Sequence, residues 1–365
     1  LALFLFALSF LFNFLYGVLL PLVPHLNGDD AGWAFTAFLL FKLIWFIPAG
    51  YISDRIGHGA ALSLTLALQS VALVVIALFP NSPWFGRALE GMALAQGTLS
   101  TFAFLRVLTP DAEAFRGSVA KLLGLGGLGM IAGPAVGYLL LPYGAVNAVL
   151  ALAALNAIFF LAQIFFFRST PKSLPTPESN QTSAPKGGLL WFAIGLTAAK
   201  AVAVGWEPNL AWWAQDVIHL SAEVAGLSFL VLGLSFVLGS MKPLVWLTPL
   251  AFLGFAGLEY ALSGHSWAWW PALAFVGFWY GVFVTIAVGR LGWNDPEKIG
   301  RHNSIWMLGT DLPMTFVPAI LWAWRGQEAA PYRWILGISL LLISSLALFY
   351  GLSRDSRAPT HNYQS

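Results

Sequence analysis

Apolar residues in this chain come in long unbroken runs, with neither the alternation of a half-buried strand nor the single stripe of a surface helix. The runs cover about 1–23, 33–52, 60–79, 84–108, 118–141 and 145–167, then 188–207, 222–240, 243–262, 268–289, 302–324 and 330–352. A helix needs about 20 apolar residues to cross a bilayer core, so each run is expected to form one transmembrane span. Residues 1–23 are taken as the first span, not a signal peptide, because no small-residue cleavage site follows Leu20. Between the sixth and seventh runs lies a polar stretch, 168–187, that contains Pro171, Pro175, Pro177 and Pro185 and reads as a flexible linker. The expected fold is therefore all-α, with twelve transmembrane helices in two six-helix halves, 1–167 and 188–352, and a tail at 353–365. The halves show no strong residue-level repeat, so only their order suggests that they are related.

Composition narrows the class. Hydrophobic residues make up 58% of the chain and charged ones 9%, far from the quarter or so of charged residues usual in soluble globules. With no cysteine, disulfides, thiol chemistry and Cys-ligated metals are excluded. The chain also lacks the H-E-x-x-H, G-x-S-x-G and phosphate-loop patterns, so no enzyme, cofactor or metal is expected. Its basic residues are scattered over loops, which argues against nucleic-acid binding. Their distribution does orient the chain. Arg55, Arg106, Arg116, Lys121, Arg168, Lys172, Lys186, Lys242, Arg290, Lys298, Arg301, Arg354 and Arg357 fall on one side, against Arg325 and Arg333 on the other. The positive-inside rule places both termini and the linker in the cytoplasm of a bacterial inner membrane. The expected partners are lipid, a small-molecule substrate and protons, with the protein acting as a monomer.

Three motifs carry a resemblance. Gly50-Tyr51-Ile52-Ser53-Asp54-Arg55-Ile56-Gly57, a charged turn after the second run, is similar to the signature loop of the major facilitator superfamily. That family usually continues with basic residues, where this chain has His58 and Gly59. Arg87 and Gly91 resemble the family's fourth-span motif, whose buried arginine is linked to proton transfer. Gly129, Gly133 and Gly137, spaced by four with Pro134 among them, place a small-residue face on the fifth span. Gly129 to Gly137 resembles the packing motif of twelve-helix drug–proton antiporters, although Ala120 stands where that motif has glycine. The resemblance implies a gating role for Gly50, Asp54, Arg55 and Gly57. It also implies that Asp54 meets the inner end of span eleven, with Arg106 nearby.

Six charged side chains inside the runs are singled out as candidates: Lys42, Arg87, Glu90, Lys200, Glu207 and Asp311. Unpaired at the bilayer centre, each costs about 2.5–3.5 kcal/mol, a total beyond the roughly 5–15 kcal/mol of a typical folding stability. They must pair, neutralise or face water. Arg87 and Glu90, three apart, share a helix face, and Glu90 is the first candidate for the proton, with Glu207 and Asp311 behind it. Lys200 and Glu207 share a face of span seven, where Pro208 is expected to break or end the helix. In the family's fold spans two and eleven face each other, which would bring Lys42 to Asp311. Asn13, Tyr16, Lys42, Gln96, Lys200, Trp206, Trp279, Tyr280 and Trp306 are the expected cavity residues. The resulting expectation is a proton-coupled exporter of small amphipathic or drug-like compounds. The alternative is proton-coupled uptake or exchange of a small organic anion.

Overall fold

The computed structural model describes residues 2–26, 31–167, 186–292, 299–324 and 330–355. The linker core, the extreme tail and the first loop with Asp29 and Asp30 lie outside the described residues. Twelve α-helices are present among the described residues: α1 (Ala2–Leu26), α2 (Ala31–Ile56), α3 (His58–Leu78), α4 (Trp84–Leu108), α5 (Ala112–Leu140) and α6 (Ala145–Phe167), then α7 (Lys186–Trp212), α8 (Ala222–Met241), α9 (Leu250–Leu262), α10 (Trp269–Leu291), α11 (Ile299–Ala323) and α12 (Ala330–Asp355). Helices are what such apolar runs must form in lipid, because a helix satisfies its own backbone polar groups. Eight of them contain stretches long and apolar enough to cross a membrane. The other four are α4, α7, α9 and α11. Of these, α7 and α9 contribute shorter apolar stretches among the described residues, Gly188–Ala203 and Ala251–Leu262.

Four local expectations are corrected. The signature segment is not a turn. Gly50 to Ile56 stay in α2, and the chain reverses on Gly57 alone, at φ 86, a left-handed value that glycine adopts without Cβ strain. The charged connector after span four is also shorter than expected, because Asp111 caps α5 by accepting a hydrogen bond from the Ala114 amide at 2.8 Å. The helix therefore starts at Ala112, ahead of the charges. Span seven runs on through Pro208 to Trp212 and into a single π-turn, Trp213–Val217; membrane helices tolerate proline where neighbours satisfy the freed carbonyl. Span nine shortens to α9, preceded by a one-turn 3₁₀ segment at Val245–Leu247.

The packing has a two-fold pattern that the sequence conceals. α1 packs on α5, α2 on α4, and α3 on α4 and α6; α7 packs on α11, α8 on α10, and α9 on α10 and α12. Adding six to each label in the first set gives the second. Pairings between the sets obey the same operation: α2 with α11 and α8 with α5, α4 with α11 and α10 with α5. Glycine makes the tight crossings possible. A Cβ on Gly91 would lie 2.2 Å from the Phe38 carbonyl oxygen of α2, and one on Gly133 2.6 Å from the Phe14 carbonyl of α1. Gly281 stands in the same relation to the Phe236 carbonyl of α8, at 2.1 Å.

At the α2–α11 crossing, a Cβ on Gly50 would meet the Gly300 carbonyl at 2.7 Å and Ser304 Oγ at 2.8 Å. Gly50→Ala is therefore expected to force the two helices apart and cost about 1–3 kcal/mol, seen as a lower thermal midpoint of the purified protein. Gly117→Ala, with nothing within 4 Å, serves as the control and should leave the midpoint unchanged or slightly raised. Equal midpoints for both variants would show that this crossing is not so close in solution.

Candidate functional site

The site is built where three helices bring charge to mid-depth. Lys42 of α2 approaches Asp311 Oδ2 of α11 at 2.9 Å. Lys200 of α7 bonds the other carboxylate oxygen, Oδ1, and also Thr310 Oγ1 at 3.0 Å. One carboxylate thus ties helices from both halves, with an ammonium on each oxygen. The surroundings of Lys42 are completed by the ring of Phe46, 5.8 Å from its nitrogen. Lys42 lies twelve residues before Asp54 along α2, and Asp311 eleven residues after Gly300 along α11. At 1.5 Å per residue both distances are about 17–18 Å, so the three charges sit level, well inside the helices. Their side chains keep 14%, 13% and 9% exposure for Lys42, Lys200 and Asp311. With two ammonium groups to one carboxylate, these three described side chains carry a formal charge of +1.

Beside it, α4 holds a second, sealed pair. Arg87 Nη1 bonds Glu90 Oε2 across one helical turn, and both side chains are buried. Gln69 of α3 lies within hydrogen-bonding reach of Glu90. Arg87 Nε and Nη2 have no hydrogen-bond partner among the described residues. Instead the guanidinium lies 4.5, 5.3 and 5.7 Å from the ring centres of Phe38, Phe35 and Tyr16. Aromatic faces are attractive to a desolvated cation, so these rings take the place of acceptors.

The third feature closes one end of the α2–α11 seam. Asp54 accepts hydrogen bonds from the Gly300 amide at 2.8 Å, the Arg301 amide at 3.1 Å and Arg301 Nε at 3.2 Å. The first amides of α11 have no partners within their own helix, and the positive end of the helix dipole favours a carboxylate there. Asp54 therefore caps α11 from another helix. Its cationic neighbour is Arg301, with Arg106 buried in the last turn of α4 and Arg55 exposed. From Gln96 a buried polar thread leads toward the same end. Gln96 donates to the Ala49 carbonyl at 3.3 Å and to Ser100, Ser100 donates to Ser53 at 3.3 Å, and Ser53 meets His58 at 2.8 Å.

Asp54→Asn keeps the shape but loses the charge facing the helix end, worth about 0.3–1 kcal/mol. The expected result is a severalfold faster reaction of Ser304→Cys, buried behind the latch, with an impermeant maleimide. The chain has no other cysteine to interfere. An unchanged labelling rate would remove the latch.

The remaining expected residues are dispersed. Asn13 donates to the Ser9 carbonyl of its own helix at 2.8 Å. Trp279 is sealed in the core, where α10 packs against α8, α9 and α7. Tyr280 packs on Phe236 with centroids 5.5 Å apart, and Trp306 donates to Asn303 Oδ1 at 2.9 Å. The Gly129, Gly133, Pro134 and Gly137 face is spent on α1. The side chains of Trp206, Glu207 and Pro313 lie outside the described residues. The reading missed Arg301 at the latch and Thr310 at the knot. It also missed a buried pair of Arg333 on α12 with Glu259 on α9, at 3.3 Å. Glu259 falls inside an apolar run and was visible there; Arg333 stands too near a span end to attract notice. That pair borders a cavity of about 620 Å³ between α9, α10 and α12, which shares no lining residue with the knot.

Comparison with known proteins agrees with this architecture. A family model of the Major Facilitator Superfamily matches residues 2–318. The tetracycline resistance protein, class C, of Escherichia coli is 25% identical over 383 residues, covering 92% of this chain and 93% of that protein. The crystal structure of the human organic anion transporter MFSD10 (TETRAN) superposes with a TM-score of 0.71 at 15% identity, over 97% of this chain and 98% of that one. That of the transporter FucP in the outward conformation gives 0.72 at 15% identity, over 96% and 98%. A twelve-helix architecture, two-fold packing and a family match across most of its length lead to one conclusion: the chain is a multi-pass membrane transporter of the major facilitator superfamily.

Proposed function

We propose that this secondary transporter exports small amphipathic, drug-like compounds from the bacterial cytoplasm by alternating access, coupled to protons through Asp311. The observation that carries the proposal is the mid-depth knot, in which one carboxylate is shared between Lys42 of the first half and Lys200 of the second. Any rocking of one half against the other must remake these bonds, so their energy biases the two orientations. Contacts between the halves include Asp54 with Arg301, Gly50 with Gly300, and Gly124 with Met241, all toward the latch end. They support an orientation closed at the cytoplasmic face. Export is supported by the tetracycline resistance proteins among the relatives.

Asp311 is preferred to Glu90 as the coupling carboxylate for two reasons. Its charged partners lie on other helices and change as those helices move, whereas the charged partner of Glu90 is on its own helix. The knot keeps partial exposure, whereas Arg87 and Glu90 are sealed. The test is flux of fluorescent amphiphiles of differing charge in liposomes with an imposed pH gradient. Wild type should exchange substrate for protons, Asp311→Asn should lose the dependence on the gradient, and Glu90→Gln should keep it. Gradient-driven exchange by Asp311→Asn equal to wild type would remove Asp311 from this role.

A further inference from the structure

We infer that the knot is the docking point for an anionic group, so that the cargo is an amphipathic anion bound by Lys42 and Lys200 in competition with Asp311. The inference rests on the transport reading only for what happens after binding. Among the described residues the charge at the knot does not balance. Two ammonium groups face a single carboxylate, and the nearby Arg87–Glu90 pair is already neutral. The hydrogen bonding does not balance either. Two ammonium groups offer six N–H donors, of which Lys42 spends one on Asp311 and Lys200 spends two, on Asp311 and Thr310. Among the described residues no other acceptor takes the rest.

A surplus cation at membrane depth is tolerated when water or an anion attends it, and the partial exposure of both lysines gives either one access. A carboxylate or similar anion on an apolar body satisfies both shortages at once, presenting charge to the lysines and apolar surface to helices that are otherwise apolar. A cationic cargo would have to displace both lysines to reach Asp311. Because the docked anion and the Asp311 carboxylate call on the same donors, binding loosens the hold of Asp311 on α2 and α7. Loading is thereby connected to the tie between the halves.

The test uses the purified full-length protein and three compounds with one apolar body: 4-phenylbutyrate, 4-phenylbutyramide and 4-phenylbutylammonium. Titration calorimetry is expected to show the carboxylate binding at least tenfold more tightly than the amide, and the ammonium most weakly. Lys42→Gln and Lys200→Gln each leave a one-to-one pair with Asp311, so both variants should fold. Each should lose about tenfold in carboxylate affinity without change for the amide. Asp311→Asn removes the competitor and should bind the carboxylate more tightly than wild type, a gain that a purely structural role does not produce. If that variant does not purify, the two lysine variants decide. Equal affinities for carboxylate and amide, or lysine variants indistinguishable from wild type, overturn the inference. Proton-coupled flux of a cationic dye with no carboxylate binding would overturn it and leave the transport reading standing. Lysine-dependent carboxylate binding without flux of any compound would sustain it and remove the transport reading.

Discussion

Asp311→Ala is expected to be the most damaging single substitution at the knot, and further truncation is expected to repair it. Removing one partner of a buried ion pair costs about 3–5 kcal/mol, because the remaining charge is left without compensation. Here the loss leaves two lysines uncompensated, 14% and 13% exposed. Lys42→Ala alone should be mild, since Lys200 and Asp311 still form a neutral pair. Adding Lys42→Ala to Asp311→Ala removes one stranded charge and should recover part of the lost thermal stability. Adding Lys200→Ala as well should recover most of it, though not transport. Residues in one network are not expected to be additive, and the sign of the departure is the test. If losses simply accumulate from the single to the triple variant, the three side chains do not act as one charged unit.

The second large effect is expected at Glu90, with an asymmetry that distinguishes it from Arg87. An arginine does not give up its proton inside a protein, so Glu90→Gln strands a permanent charge in a site closed to water. The Phe38, Phe35 and Tyr16 rings around the guanidinium offset part of the cost, each by roughly 0.5–2 kcal/mol. The net loss should then be near the lower end of the 3–5 kcal/mol range for a broken buried pair. Arg87→Met leaves a carboxyl, which can take up a proton and become neutral. It is therefore expected to be the more stable variant, and more clearly so at low pH. Thermal unfolding of both across pH 5–8 checks the order. A Glu90→Gln protein more stable than Arg87→Met would mean that the pair and its aromatic cover are not packed as described.

Much of this was legible before any coordinates. Long apolar runs leave the chain few options in lipid, so the helices and their number followed from the sequence. Charged residues within those runs are costly enough that each required a partner, and this argument brought Lys42 to Asp311 once spans two and eleven were set face to face. It did not bring Lys200 there. On its own helix Lys200 has Glu207 seven residues on, a sequence neighbour that drew attention from a partner more than a hundred positions away. At the latch the resemblance brought Asp54 to the inner end of span eleven, but not to its partners there, the backbone amides of Gly300 and Arg301, because nothing in a side-chain pattern announces an amide donor. Glycine spacing showed that α5 has a packing face but not which helix it meets, since close approach is a property of two surfaces. The two-fold packing was hidden because helices can be exchanged between halves by shape alone, with little identity retained between their residues.

The unequal count at the knot has an electrical consequence. In the proposed alternating-access cycle, with Asp311 ionised and no cargo bound, the three described side chains of the central site hold one positive charge in excess, and changing access from one face to the other moves that charge between the two sides of the membrane field. A full elementary charge crossing 100 mV is worth about 2.3 kcal/mol, nearly a fiftyfold change in the ratio of the two orientations. On the export reading proposed above, a potential negative inside would draw the empty transporter toward the cytoplasm, where cargo is collected. With a monovalent anion docked the excess is cancelled, and the loaded protein turns outward without working against the potential. In liposomes, an imposed potential should then speed the return of the empty protein and leave the loaded step unchanged. Lys42→Gln, whose empty site carries one positive charge fewer, should show a weaker sensitivity.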